Sequence, residues 1–392
     1  CHPSIVLWSI GNEIPEQATV EGVRLLHYLQ DICHREDPTR MVISACDNIA
    51  AAAPSTAFCE FVNALDVVGY NYVARWRERA ETLYDEDHKH FPQRRMIGSE
   101  NPSAGGARGD YALQTGSTSA FRNDYLRATM NHEFLWRYTM SRDFVAGDFL
   151  WTGIDYLGES EWPSKGSASG PIDTAGFPKD TFYYFRSLWN EKDTTLHLLP
   201  HWNWQGQEGQ FKQVVCYTNC EYVKLYLNGC LVGTKGYDCP NVGALKAWND
   251  RAKWTNPTTH DLHLVWDLPY EAGELKAEGY INDKLIATKL LCTTGKPVCL
   301  KAVADCTELL ADGVAHIELS ALDSQGRAVP DANFPVCCAL TGAGSFMGMD
   351  NGNMLDLTVW SSPKRNMYHG LLLVMVRAQG CGNLTATFSA EG

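Results

Sequence analysis

No stretch of this 392-residue chain approaches the roughly 18 uninterrupted apolar residues of a membrane-spanning helix, so no bilayer-crossing helix is expected. Basic charge is also short. Thirty-three Lys and Arg face 46 Asp and Glu, a formal net charge of −13, which leaves no basic patch to grip a phosphate backbone. Nucleic acid is therefore not an expected partner. Low-complexity tracts and fixed-period repeats are lacking too. With 45 % hydrophobic and 20 % charged residues the chain reads as globular, and its length predicts about two to four domains. Cysteine is plentiful at 14, but the paired CxxC spacing of a metal site is missing. Cys216 and Cys220 would share one face of a strand-like run, and the neighbours Cys337 and Cys338 cannot easily bridge. Buried reduced thiols acting as small hydrophobes are the plain reading, which favours a reducing cytoplasm and otherwise leaves localisation open.

What is present is organised in two styles. Up to about residue 190, apolar runs alternate with helical periodicity. Ser4 to Gly11, Arg40 to Cys46, Leu65 to Tyr72, Met96 to Glu100 and Phe144 to Trp151 read as strands. Thr19 to Glu36, Arg75 to about Asp87, Phe121 to Arg142 and Asp180 to Trp189 read as helices. Short buried strands joined by helices imply a parallel sheet covered on both faces, whose chemistry sits at the strands' carboxyl ends. From Leu196 onward, period-two alternation takes over, as in YVKLYLNG and HDLHLVWDL, with turns at Asn228-Gly229 and Asn282-Asp283. A second all-β pattern follows the hinge-like TGKP at 294 to 297. The boundaries are expected near 195 and 298.

Three of the strand ends carry Asn12-Glu13, Asn71-Tyr72 and Glu100; a fourth carries Trp151. Two carboxyl groups brought together at one rim suit glycoside hydrolysis: about 5 to 5.5 Å apart for a retaining enzyme, about 6.5 to 9.5 Å for an inverting one. Spacing alone leaves the alternative that each glutamate caps a loop or pairs with an arginine. For Tyr72 and Trp151, packing at the end of the sheet is the competing role.

The words around these residues resemble glycoside hydrolase family 2, the β-galactosidase and β-glucuronidase family. WSIGNEIPEQ is similar to its acid/base motif at the end of barrel strand four, and RRMIGSE to its nucleophile strand. DVVGYNY resembles strand six, while GDFLWTGIDYLGESEWP and GFPKDTFYYFRSLW resemble strand eight and the last helix. LLPHWNW, VKLYLNGCLVGTK and GSFMGMDNGN are similar to the sandwiches that follow the barrel. The resemblance implies the carboxyl-terminal part, strands four to eight, of a (β/α)8 barrel at 1–195, then Ig-like sandwiches at 196–298 and 299–392. It implies Glu13 as acid/base, Glu100 as nucleophile, Asn12 as donor to the sugar 2-hydroxyl, Tyr72 as partner of the nucleophile with Asn71 beside it, and Trp151 as an apolar floor for the sugar.

Strands one to three of such a barrel are not in this sequence, so the chain is expected to be part of a longer enzyme and to be catalytically crippled alone. A carbohydrate substrate, the N-terminal half and a homo-oligomer are the expected partners. No cofactor is identifiable; some family members bind Mg²⁺ near the acid/base, with ligands that would lie outside this sequence. Lysines occur in SKGSASGPIDTAGFPKD, but the Asn-x-Lys motif of the family's glucuronidases does not, which puts β-galactosidase first. A glucuronidase, another β-glycosidase, or an inactive carbohydrate-binding or structural fragment are the alternatives.

Other groups invite plainer readings. His88 and His90 sit in a charged run and are expected on a solvated surface rather than at a metal. Glu159 and Glu161 either shape a cleft or are solvated loop acids. Trp202 and Trp204 fit a sandwich core or a domain contact better than an outer sugar subsite. Gly342, Gly344 and Gly348 miss the GxGxxG spacing and read as a sandwich turn. Asn383-Leu-Thr385 is a sequon that matters only in a glycosylating pathway.

Overall fold

The computed structural model describes residues 2–50, 55–73, 79, 82–101, 106–111, 125–160, 162–236 and 262–390. These fall into two compact units. The first holds the described residues of 1–104 and 129–152, the second those of 105–128, 153–253 and 258–392.

In the first unit, β1 (Leu7–Asn12), β2 (Met41–Cys46), β3 (Val67–Asn71), β4 (Met96–Glu100) and β5 (Val145–Asp148) form one sheet in chain order, every pair parallel. Parallel neighbours need crossover connections. Here α1 (Val20–Glu36), α2 (Thr56–Ala64), α3 (Leu83–His90) and α4 (Tyr125–Met140) supply them. All five residues of β3 are buried, as befits the middle strand of a sheet covered on both faces. Thr19 starts α1 by accepting a hydrogen bond from the Gly22 amide at 3.0 Å, and the helix ends at Asp37, just before Pro38. Its core-facing Leu26 joins Phe61, Val68, Met96, Leu135 and Val145 in the interior.

One carboxylate is drawn into this core with full compensation. Asp87 accepts from the Tyr70 hydroxyl at 2.8 Å and from Arg79 and Arg94 at 2.7 Å each. A buried charge is tolerated on those terms.

Met96–Glu100 has the expected bounds and three of the other expected strands are trimmed; the leading one starts at Leu7 rather than Ser4 and runs one residue further, to Asn12. The helix expected from Arg75 starts later, at Leu83, and runs on to His90. Residues 74–78, 80–81 and 121–124, where two expected helices begin, lie outside the described residues. The helix α2 was not anticipated. It is short and strongly apolar, so it shows little polar face to mark a helical period; Ser55 caps it by accepting from the Phe58 amide at 3.1 Å. His88 is not simply solvated: it stacks on Phe144 with ring centroids 3.8 Å apart, while His90 is exposed.

The second unit contains α5 (Asp180–Trp189) and two pairs of antiparallel sheets. In the first pair, Leu196–Leu199, Phe211–Thr218 and Leu264–Pro269 form three strands, and Tyr222–Leu227, Cys230–Gly236, Glu274–Ile281 and Lys284–Cys292 form four. The two sheets share a core of Trp202, Val214, Val223, Leu225, Trp266 and Leu275. Trp202 is thus a core residue, its indole donating to the Glu271 carbonyl at 2.9 Å. The second pair places Cys299–Ala304, Val314–Leu322, Gly344–Asp350 and Leu371–Ala378 against Pro335–Gly342, Lys364–Asn366 and Leu384–Ala390, around Leu319, Val336, Met349 and Val374. Gly342, at φ +98°, makes the turn between two of these strands. The cysteines among the described residues are free thiols.

Within this unit the guanidinium of Arg108 ties chain segments far apart in sequence. It pairs with Asp173 at 2.7 Å and donates to the carbonyls of Asn351 at 2.9 Å and Tyr368 at 3.1 Å.

Candidate active site

The carboxyl ends of β1, β3 and β4 meet in one hydrogen-bonded group. At its centre is the side-chain amide of Asn71, the last residue of β3 and 1 % exposed. Ser99 donates to the Asn71 carbonyl oxygen at 2.7 Å, which fixes the orientation of the amide and aims its nitrogen the other way. That nitrogen lies 3.0 Å from Asn12 Oδ1, 2.9 Å from Glu13 Oε1 and 3.0 Å from Glu100 Oε2. Two N–H protons are shared among three acceptors. The second oxygen of Glu100 accepts a short hydrogen bond from the Tyr72 hydroxyl.

Asn71 reaches Glu13 across β2, although β1 and β3 are not neighbours in the sheet. Adjacent strands stand about 4.8 Å apart, so the Asn71 and Glu13 side chains must lean towards each other over the end of β2 to touch. The rim of β2 supports Glu13, whose amide donates to the Ala45 carbonyl at 2.9 Å. Likewise the Tyr72 amide donates to the Glu100 carbonyl at 3.0 Å. Both Glu13, at φ +50°, and Tyr72, at φ +55°, adopt the left-handed conformation that non-glycine residues seldom hold. Outliers of this kind concentrate at functional sites.

The sequence points to Asn12, Glu13, Asn71, Tyr72, Glu100 and Trp151. The hydrogen bonds gather the first five; Trp151 is half-buried three residues beyond β5. Of the lesser candidates, Glu159 is exposed and accepts from the Tyr156 hydroxyl at 2.5 Å, and Glu161 lies outside the described residues.

Three supporting residues were missed: Ser99, Asn101 and Asp148. Asn101 directly follows Glu100. Its side-chain nitrogen donates to the Tyr70 carbonyl and to Asp148 Oδ1, both at 3.1 Å, and its oxygen accepts from the Val73 amide at 2.9 Å. Asp148 ends β5, and the rule that polar strand ends form the rim would have flagged it. Burial pushes its carboxyl up to about 7, against the opposing hydrogen bonds from Asn101, Thr139 and the Phe149 amide. Gly98 leaves room for it, since a Cβ there would stand 2.2 Å from Asp148 Oδ1.

Among the described residues, no group of three or more His, Cys, Asp and Glu is arranged to hold a metal ion. No described helix is long and apolar enough to cross a membrane.

Comparison with known proteins adds family matches to this geometry. A family model for the glycosyl hydrolases family 2 TIM barrel domain matches residues 1–166, and one for the glycoside hydrolase family 2 C-terminal domain 5 matches residues 300–392. A domain of unknown function matches residues 209–287. A β-galactosidase of Bacteroides ovatus is 30 % identical over 100 % of this chain and 48 % of its own length. A putative β-glucuronidase of Formosa agariphila is 27 % identical over 96 % of this chain and 36 % of its own. The solved structure of a β-glycosidase from Bacteroides vulgatus is 26 % identical with a TM-score of 0.79, covering 99 % of this chain and 50 % of that one. The chain spans about half the length of such relatives, or less.

Proposed function

Because this chain belongs to glycoside hydrolase family 2, we propose that its carboxylate pair is that of a retaining β-glycosidase, with Glu13 as acid/base and Glu100 as nucleophile. The observation that carries the reading is the Asn71 amide. Because one nitrogen touches Glu13 Oε1 and Glu100 Oε2, those two oxygens lie within about 6 Å of each other. Such closeness favours direct attack by one carboxylate over a mechanism that must seat a water molecule between sugar and base.

The reaction runs in two displacements. In the first, Glu100 attacks the anomeric carbon while Glu13 gives its proton to the departing glycosidic oxygen, leaving an ester between sugar and Glu100. In the second, Glu13 takes a proton from water, whose oxygen attacks the same carbon and releases Glu100. The Tyr72 hydroxyl orients the nucleophile. Asn12, beside Glu13, donates to the sugar 2-hydroxyl, and Trp151 gives an apolar face to the ring.

On this reading β1 to β5 are strands four to eight of a (β/α)8 barrel, with boundaries near 195 and 298 and Ig-like sandwiches beyond. A closed barrel of this kind would take its other strands from a longer protein or a complementing chain; the alternative is a short protein whose sheet stays open. The substrate is first a β-galactoside, the activity named for the Bacteroides ovatus relative. A β-glucuronide is the second reading, supported by one relative from Formosa agariphila and one from Bacteroides fragilis, each named a β-glucuronidase, and by further Formosa agariphila relatives named putative β-glucuronidases.

The test compares p-nitrophenyl β-galactoside and β-glucuronide with wild-type chain and Glu100→Gln, alone and with the N-terminal half of a relative. Glu100-dependent release of the β-anomer first is expected. Turnover insensitive to Glu100, or initial release of the α-anomer, overturns the assignment. A chain inactive in every arm is the non-catalytic fragment.

A further inference from the structure

Asn71 and Tyr72 both touch Glu100, yet Tyr72 sits in an unfavoured backbone conformation just past the end of its strand. Something must hold that dipeptide in place. Its flanking residues show what does: the Asn101 side chain donates to the carbonyl of Tyr70, on one side of the pair, and accepts from the amide of Val73, on the other. One side-chain amide therefore brackets the four residues from 70 to 73.

The bracket works only in one orientation. If the amide turned over, its nitrogen would face the Val73 N–H and its oxygen the Tyr70 carbonyl, two like-polarity contacts in a site where Asn101 is 1 % exposed. Asp148 Oδ1, 3.1 Å from the Asn101 nitrogen, selects the productive orientation, and Thr139 in turn donates to Asp148 Oδ2 at 3.3 Å. We propose that Asn101, oriented by Asp148, is a positioning residue of this site, setting Asn71 and Tyr72 against Glu100. Neither residue needs to touch the sugar. The inference rests on the reading of Glu100 as nucleophile for its functional meaning, but the positioning itself can be measured without turnover.

The experiment labels the chain with [ζ-13C]tyrosine and assigns the Tyr72 resonance by its loss in Tyr72→Phe. Asn101→Ala is expected to move that resonance more than half way towards free tyrosine, while that of Tyr138, buried in the same unit, stays in place. Asp148→Ala is expected to move it the same way, and this variant decides if Asn101→Ala does not fold. Asp148→Asn, which keeps an acceptor oxygen for Asn101, is expected to stay near wild type. The proposal is overturned if Tyr72 does not move in the alanine variants, if Tyr138 moves with it, or if Asp148→Asn acts like Asp148→Ala. Where turnover is measurable, kcat in Asn101→Ala falls at least about tenfold with KM little changed. A Tyr72 shift in a chain that shows no Glu100-dependent turnover even with the N-terminal half of a relative refutes the hydrolytic reading and leaves the positioning intact.

Discussion

Replacing Arg108 with methionine keeps the bulk of the side chain and removes the charge at the centre of the second unit. The guanidinium is 7 % exposed and its partner Asp173 only 1 %, so the substitution strands a carboxylate in a dry site. Breaking a buried pair from one side costs about 3 to 5 kcal/mol. Asp173 keeps two supports, the amides of Ala175 at 3.0 Å and Phe177 at 2.9 Å, which argues for the lower end of that range. The carbonyls of Asn351 and Tyr368 also lose their charged donor, adding about 1 kcal/mol between them. The expected loss is therefore about 4 kcal/mol. With a urea slope of about 1 to 3 kcal/mol/M, the midpoint of the transition involving this unit falls by more than about 1 M. Hydrogen exchange at the Ala175 and Phe177 amides should speed up in the same variant. Adding Asp173→Asn should cost less than the sum of the two single changes, because the double variant buries no unpaired charge. A midpoint within about 0.3 M of wild type, with exchange unchanged, would show that Arg108 does not hold these segments together.

The remaining expectations concern titration and backbone. Burial, and next the Arg108 guanidinium, push His369 down to about 4 from its ordinary 6.5, so the folded chain keeps this ring neutral. As pH falls through that window the unfolded chain takes up the proton first; thermal stability of wild type should drop more steeply than that of His369→Gln, and parallel curves would refute the assignment. Asp148 acts in the opposite sense. Its carboxyl, up at about 7 when folded and 3.8 otherwise, favours the folded state most at acid pH, a contribution that fades as pH rises towards 7 and that Asp148→Asn should abolish in the same melting series. Gly352→Ala places a Cβ 2.0 Å from Asp173 Oδ2 at φ +74°, and calorimetry should register a loss of at least about 1 to 2 kcal/mol from the left-handed backbone alone. Thr19→Ala deletes the cap of α1 and should cost about 1 kcal/mol by the same measurement.

Local pattern was enough for much of this molecule. Met96–Glu100 and Asp180–Trp189 lie where apolar runs and helical spacing place them, and the change near Leu196 from helical to alternating periodicity marks where antiparallel strands begin. Glu13 and Glu100 could be named because polar residues closing buried parallel strands must emerge at one rim. The helix α2 escaped because so apolar and short a segment carries little periodic signal, and Arg108 because its partners lie 65 to 260 positions away in the chain. Asn71 was legible as a rim residue but not as the hub. Its three acceptors come from the ends of two strands, one of them not its neighbour, and only the three-dimensional arrangement of those ends brings them to one nitrogen. The sequence by itself determined which side chains stand at the strand ends, since period and burial are properties of each segment. Tertiary structure alone decided which of them meet, and that Ser99, Asn101 and Asp148 hold them, because hydrogen bonds of about 3 Å are set by the arrangement of strand ends and crossovers rather than by any one segment.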